Sequence, residues 1–186
     1  MAVPPNMTVL NTSGKYFMNK SLSDDIDEIL RLQGVGWVKR KIIRVGTLYL
    51  NINHYTDDAS IEHIDIVQSL SGLSTSSEDR ILDWVERPHE DDVFGDVLNI
   101  NKRVAAGEVE GDWLKMGWTE DTLEKGLVYT RARSDTAKSG TTWLAVQTWG
   151  FEVINGERRY VRHVDFTGPK GEKVHARLVY DYQGPR

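Results

Sequence analysis

Apolar residues recur at two different spacings along this chain, and the change between them divides it. Between residues 21 and 46 the spacing is helical. Ile26, Ile29 and Leu30 share one face behind Ser21-Leu-Ser-Asp24, a capping residue with carboxylates that suit the positive end of a helix. Gly34 stops that helix, and a second begins near Val35, where Val38, Ile42 and Val45 repeat at helical intervals up to Gly46. Elsewhere the period is two. Gly14 to Met18 reads as a first strand and Thr47 to His54 as the next. Further strand-like runs occupy roughly 60 to 72, 79 to 88, 92 to 104, 127 to 136, 142 to 154, 157 to 167 and 172 to 183, about nine strands in all.

The turns between these runs join antiparallel neighbours. Asn155-Gly156, between Phe151-Glu-Val-Ile and Arg159-Tyr-Val, is a two-residue hairpin signal, because both positions tolerate the positive φ of a type I′ turn. Thr167-Gly-Pro-Lys-Gly171 predicts a longer hairpin and Tyr55-Thr-Asp-Asp58 another. A series of short-turn strands behind two helices predicts a mainly β fold, a single antiparallel meander that closes into a barrel and so removes its edges, with an open sandwich as the competing architecture. Residues 1–186 read as one domain, the first 12 as flexible. Residues 106–126, with Trp113, Met116, Trp118 and a short helix after Thr119, interrupt the strand series as an insertion, either a lid or a long loop.

Composition narrows the function classes. With 186 residues, 39% hydrophobic, the chain can bury a substantial core. It has no cysteine, which excludes disulfides and thiolate metal sites and makes the reducing cytoplasm the natural assignment. The start Met1-Ala-Val-Pro-Pro-Asn6 has no basic or apolar leader, and no run approaches the ~20 apolar residues of a membrane span. A formal net charge of −5 argues against a broad nucleic-acid surface, although Lys39 to Lys41 and Arg158-Arg159 are local basic clusters. Gly34-Val-Gly36 is half of a dinucleotide fingerprint without the preceding strand, and no nucleophile elbow, phosphate loop or paired-histidine zinc motif is present. No cofactor and no metal is therefore expected.

One stretch carries a family likeness. Gly14-Lys-Tyr-Phe-Met-Asn-Lys-Ser21, then Asp25 and Leu30, then Gly34-Val-Gly36-Trp-Val-Lys-Arg40-Lys41 resembles the opening of the intracellular lipid-binding (fatty-acid-binding) proteins. These are calycins, related in fold to the lipocalin-like proteins, and share the order Gly-x-Trp, short acidic helix, Gly-Val-Gly, Arg-Lys. The resemblance covers about the first 45 residues; beyond them only the rhythm of strand and turn is shared. Tyr16 stands where the family has Trp. The resemblance implies a barrel around a cavity for a small apolar molecule, with an Arg-x-Tyr on the last strand for a ligand carboxylate. Here that strand reads His175-Ala-Arg177-Leu-Val-Tyr180, so Arg177 and Tyr180 project to opposite sides unless a bulge intervenes.

Candidate chemistry falls into two sets. Alternation puts Trp143, Ala145, Gln147, Trp149 and Phe151 on one strand face, and Tyr49, Trp84, Gln147, Trp149, Arg177 and Tyr180 are the candidate ligand contacts; the plain alternative is that the aromatic residues are core and Arg177 an outward salt bridge. His63-Ile-Asp65 and His163-Val-Asp165 each place an imidazole and a carboxylate on one face, as general acid–base chemistry requires, although an ordinary solvated strand looks the same. Asp83, Glu86 and Arg162 are open between site and cross-strand pairing. The expected partner is a small hydrophobic ligand, with no nucleic acid and no stable membrane insertion. Two functions follow: a carrier that holds a hydrophobic metabolite in the barrel, or a cofactor-free isomerase, cyclase or dehydratase of a natural-product pathway acting in the same cavity.

Overall fold

The two periods map onto a helical pair and one sheet of ten strands. The computed structural model describes residues 1–72 and 74–186. In chain order the elements are β1 (Gly14–Met18), α1 (Asp27–Leu32), α2 (Trp37–Val45), β2 (Leu48–Thr56), β3 (Glu62–Leu70), β4 (Ser74–Ile81), β5 (Arg87–Asp91), β6 (Gly95–Val104), a 3₁₀ turn (Ala106–Glu108), α3 (Glu120–Lys125), β7 (Leu127–Ser134), α4 (Thr136–Ser139), β8 (Leu144–Ile154), β9 (Glu157–Thr167) and β10 (Lys173–Gly184). The strand order is β4-β3-β2-β1-β10-β9-β8-β7-β6-β5, a meander in which β10 returns to pair with β1. The barrel is nearly closed: its two ends, β4 and β5, face each other without a ladder between them.

Strand alternation sets what the barrel encloses. Leu50 and Ile52 on β2, Ile64 and Ile66 on β3, Val128 on β7, Trp149 and Phe151 on β8, Tyr160 on β9 and Tyr180 on β10 form one buried cluster with Tyr16 of β1. Each fully buried side chain of this size contributes roughly 1.5–3 kcal/mol relative to its exposed state. At one end Val3 and Val9 join this cluster, at 4% and 1% exposure, so the first dozen residues plug the barrel. At the other end α1 drops Ile29 and Leu32 onto Trp143, Val164, Phe166 and Ala176.

The turns behave as their residues require. Asn155 and Gly156 take φ of 52° and 79° between Ile154 and Glu157, the positive pair of a type I′ hairpin. The strand expected over 79–88 is in fact two, β4 and β5, with Trp84 at φ 62° in the bend between them. The first of these escaped notice because Ser74 to Arg80 contains no apolar residue. Helix α1 starts at Asp27, later than the Ser21 cap implied, and the Asp27 amide is held by Asp25 Oδ1 at 2.9 Å. Helix α2 turns its apolar stripe outward: Val38, Ile42 and Val45 are 61%, 43% and 82% exposed. Polar contacts hold it instead, Arg40 to Asp27 at 2.6 Å and Lys39 Nζ to the Asp92 carbonyl at 2.7 Å.

The insertion is not a lid across the mouth. Val109, Leu114 and Trp118 bury themselves on the outer wall of the barrel against Ile154, Val161 and Val179. Gly150 allows this approach, because a Cβ there would lie 2.5 Å from Thr122 Cγ2 and 3.0 Å from the Trp118 ring.

At the plugged end one carboxylate joins several elements. Glu62 of β3 meets His54 Nε2 at 2.7 Å and Arg103 Nε at 2.8 Å, while Arg103 Nη2 donates to the Val9 carbonyl at 2.9 Å. Burial alone would push the Glu62 carboxyl up, but His54 and Arg103 outweigh it and hold it at about 2. A folded-state value below the ordinary 4.5 gives stability that is present above pH 4.5 and lost as pH falls towards 2. Urea titrations at pH 5 and pH 3 should show a loss of stability on acidification that Glu62→Gln largely abolishes, the variant being less stable at pH 5 by on the order of 2 kcal/mol. An unchanged acid slope in that variant would remove Glu62 from the account.

Candidate functional site

The Asn155-Gly156 turn fixes the register of the β8–β9 hairpin, and that register sets Trp149 directly opposite Arg162. Both point into the barrel. The Arg162 guanidinium carbon lies 3.9 Å from the Trp149 ring centroid, and 5.5 Å and 5.2 Å from those of Tyr160 and Tyr180. Its Nε donates to Tyr160 Oη at 3.3 Å, while Nη2 is buried with no hydrogen-bond partner among the described residues.

A polar belt continues from this point towards β4. Trp149 Nε1 donates to Gln147 Oε1 at 2.9 Å. Glu78 accepts from Gln68 at 2.7 Å and pairs with Arg80 at 2.5 Å, and Arg80 Nη1 reaches Asn101 Oδ1 at 3.1 Å. Arg80 also stands 5.2 Å from the Trp149 ring. Inward-facing Gln68, Asn99, Ala132, Gln147 and Leu178 are only partly buried, so the barrel is open at this level. A cavity of about 310 Å³ lies between β4 and β5, lined by Glu78, Arg80, Arg87, His89, Asn99 and Asn101 among others.

The electrostatics keep the donors charged or protonated. Burial works against the Arg162 cation, but Tyr160, Tyr180 and Glu78 more than offset it and its pKa is raised. Burial also raises Glu78, yet Arg80 and Arg162 prevail and hold it below the ordinary carboxylate range. Tyr180 is pushed up to about 12 by burial, and Tyr160 rises for the same reason, so both phenols keep their protons near neutral pH. The result is a fixed cation and two phenols over an indole, set against the buried Leu, Ile, Val and Phe side chains of the inner wall. Such a surface can seat an extended apolar molecule and donate to one of its oxygens.

The sequence candidates divide between the two faces of the wall. Gln147, Trp149 and Tyr180 point inward and lie around Arg162. Tyr49 packs on Phe17 on the outside, at 47% exposure, and Trp84 lies outside against Tyr129 and Lys102. No bulge joins Arg177 to Tyr180 in the paired part of β10, so Arg177 stays outside, 3.7 Å from Glu152. His63 is also on the outer wall, stacked on Tyr55 and 2.9 Å from Asp57, and Asp65 meets Asn53 at 3.4 Å. His163 is outside but buried beneath the insertion. Its Nε2 lies 2.5 Å from Glu152 and its Nδ1 2.8 Å from the Trp113 carbonyl, with the rings of Trp113 and Trp118 at 4.8 and 4.5 Å. Asp165 instead lies near His175 and Lys173, at 3.7 and 3.8 Å.

Sequence reasoning left Arg162 ambiguous and passed over Glu78 and Arg80. For Arg162 a signal existed: counting back from a two-residue Asn-Gly turn pairs residue 162 with Trp149. For Glu78 and Arg80 there was none, since their strand carries no apolar alternation.

The fold defines the class. The structure superposes on the barrel of a Schistosoma mansoni fatty acid binding protein in complex with arachidonic acid, at TM-score 0.57 and 12% identity over 92% of this chain and 96% of that one. It superposes as well on the fluorescent protein UnaG, at 0.56 and 13% over 92% and 97%. A fatty-acid-binding protein of Drosophila melanogaster brain matches at 0.54 and 17% over 90% and 95%. The architecture is that of the fatty-acid-binding β-barrels. No protein-family profile matches the chain. In sequence, a probable pericyclase, scpY of Mollisia scopiformis, is 30% identical over 191 residues, spanning 100% of this chain and 96% of its own length. The pericyclase pydY of an Acremonium species is 31% identical over 191 residues, spanning 100% and 99%. The chain belongs to this pericyclase family.

The outer His163 cluster generates a stability prediction. His163→Ala removes a buried hydrogen-bonded ring and leaves Glu152 facing an empty space, so thermal or urea unfolding should show a loss of about 2–3 kcal/mol with a red shift of tryptophan emission. A variant of unchanged stability would show that the cluster does not fasten the insertion.

Proposed function

We propose that this protein is a cofactor-free pericyclase, whose barrel interior holds a conjugated, largely apolar substrate while Arg162 donates to an oxygen on it. The unpartnered Nη2 of Arg162, buried against Trp149 and beside two protonated phenols, is the observation that carries this reading. Membership of a family that includes a named pericyclase supports the reaction class. A pericyclic reaction redistributes π and σ bonds around a ring of the substrate's own atoms. No atom, proton or electron enters or leaves, so the protein needs neither nucleophile nor cofactor.

Two effects then supply the acceleration. The apolar walls hold a flexible chain in the folded conformer from which bonds form, which replaces an entropic cost at the transition state. A guanidinium hydrogen-bonded to a conjugated carbonyl withdraws electron density from the adjoining double bond and binds the oxygen more strongly as charge gathers on it. Trp149 fixes the guanidinium plane, and Tyr160 and Tyr180 fix its position.

The test incubates the protein with linear conjugated polyenes that carry a carbonyl group, with products separated by chromatography and weighed by mass spectrometry. The protein should accelerate formation of an isomer of unchanged mass. Arg162→Ala should lower kcat/KM by about 100-fold, and Arg162→Lys, which keeps the charge and loses the planar fork, by about 10-fold. Tight binding without isomer formation would replace the enzyme by a carrier. Full turnover in Arg162→Ala would remove Arg162 from the chemistry.

A further inference from the structure

How the substrate reaches this interior follows from the way the barrel fails to close. At the plugged end the two sides of the gap are tied by Glu62 and Arg103. One step further along the strands Arg80 of β4 crosses to Asn101 of β6 at 3.1 Å. Beyond that the edges of β4 and β5 share no ladder, and the cavity of about 310 Å³ lies between them. Of its lining residues, Glu78, Arg80, Arg87, His89, Asn99 and Asn101 face inward by strand alternation and Ser77, Asp79 and Pro88 outward, so the cavity lies between the two faces of the wall. Arg80 stands between the cavity and the Trp149 ring. At the helical end a cavity of about 280 Å³ lies between α1, α2 and the end of β1, but beneath it Ile29 and Leu32 of α1 are packed into the apolar cluster, and Arg40 ties α2 to Asp27.

We infer that the gap between β4 and β5 is the substrate's entrance, and that the Arg80–Asn101 bond is its gate. The inference rests on the reading of the interior as the reaction site and adds the route into it. The Glu78–Arg80 pair makes such a gate workable, because Arg80 keeps a carboxylate partner on its own strand at 2.5 Å when the bond to Asn101 opens. Separating β4 from β5 breaks no ladder hydrogen bonds. Moving α1 would expose its buried face.

The test is stopped-flow uptake of 1-anilinonaphthalene-8-sulfonate, an anionic apolar dye, followed by energy transfer from tryptophan. Asn101→Ala removes the crossing bond and leaves Arg80 and Glu78 paired. A gate alters entry and exit alike, so this variant should take up and release the dye at least about fivefold faster with its equilibrium affinity within about twofold of wild type. Arg80→Ala should also speed uptake, and Arg40→Ala, which loosens the helical end, should not. The route is overturned if Asn101→Ala leaves the association rate unchanged, or if Arg40→Ala alone accelerates it. Arg162→Ala separates this from failure of the interior-site reading: it should weaken dye binding at least about tenfold. If it does not, or if wild type takes up no dye, the interior site falls and its entrance with it.

Discussion

The ladder of backbone hydrogen bonds that runs from β4 through β1 and β10 to β5 stops there, and much of the molecule is arranged around that stop. Two unpaired edges inside one chain would ordinarily invite pairing with another. Here they are turned towards each other, and side chains rather than backbone span the interval, Arg103 to Glu62 at the plugged end and Arg80 to Asn101 next to it. Side-chain bridges of this kind need charged and amide groups on an inner wall. They account for the polar strip of Gln68, Glu78, Arg80, Asn99 and Asn101 facing a wall of Ile52, Ile64, Ile66 and Phe151.

A cation can then live inside the barrel. An isolated guanidinium in a hydrocarbon interior would be prohibitively costly. Arg162 is instead stacked on an indole, bonded to a phenol and within the field of Glu78, and these offset its burial with its Nη2 left free among the described residues. The interior is thus apolar around one fixed cation, and that combination separates it from the outer wall. Outside, His163, Glu152, Trp113 and Trp118 form an equally crowded polar and aromatic cluster, but it is filled and serves to fasten the insertion.

The relation to the fatty-acid-binding barrels is one of scaffold. The early helices, the strand order and the closed end are shared in form. The Arg-x-Tyr spacing of the last strand is not, and with one extra residue between them Arg177 faces solvent and Glu152 while Tyr180 faces in. The inward arginine comes from β9 instead, where Arg162 follows Tyr160 by two residues and so shares its face. The insertion lies on the outer surface, leaving the interior to the barrel strands, α1 and the N-terminal segment.

Local periodicity and turn chemistry were enough to indicate an antiparallel meander, the helical pair and the β8–β9 hairpin, while the choice of a barrel over an open sandwich was made by β10 pairing with β1. Those three depend on residues close in sequence: the spacing of Ile29 and Leu30, the alternation from Trp143 to Phe151, the positive φ of Asn155-Gly156. They were also enough to separate Arg177 from Tyr180. Period two, however, says only that two side chains share a face, never which face is inside. That choice belongs to the closure of the sheet, which put Trp149 and Tyr180 within and Tyr49, Trp84, His63 and His163 without. The site itself depends on pairs distant in sequence. Arg162 meets Trp149 through a hairpin register that the turn residues imply, but that both face inward is decided by closure, and Arg80 meets Asn101 because β4 and β5, consecutive in the chain, lie side by side without pairing.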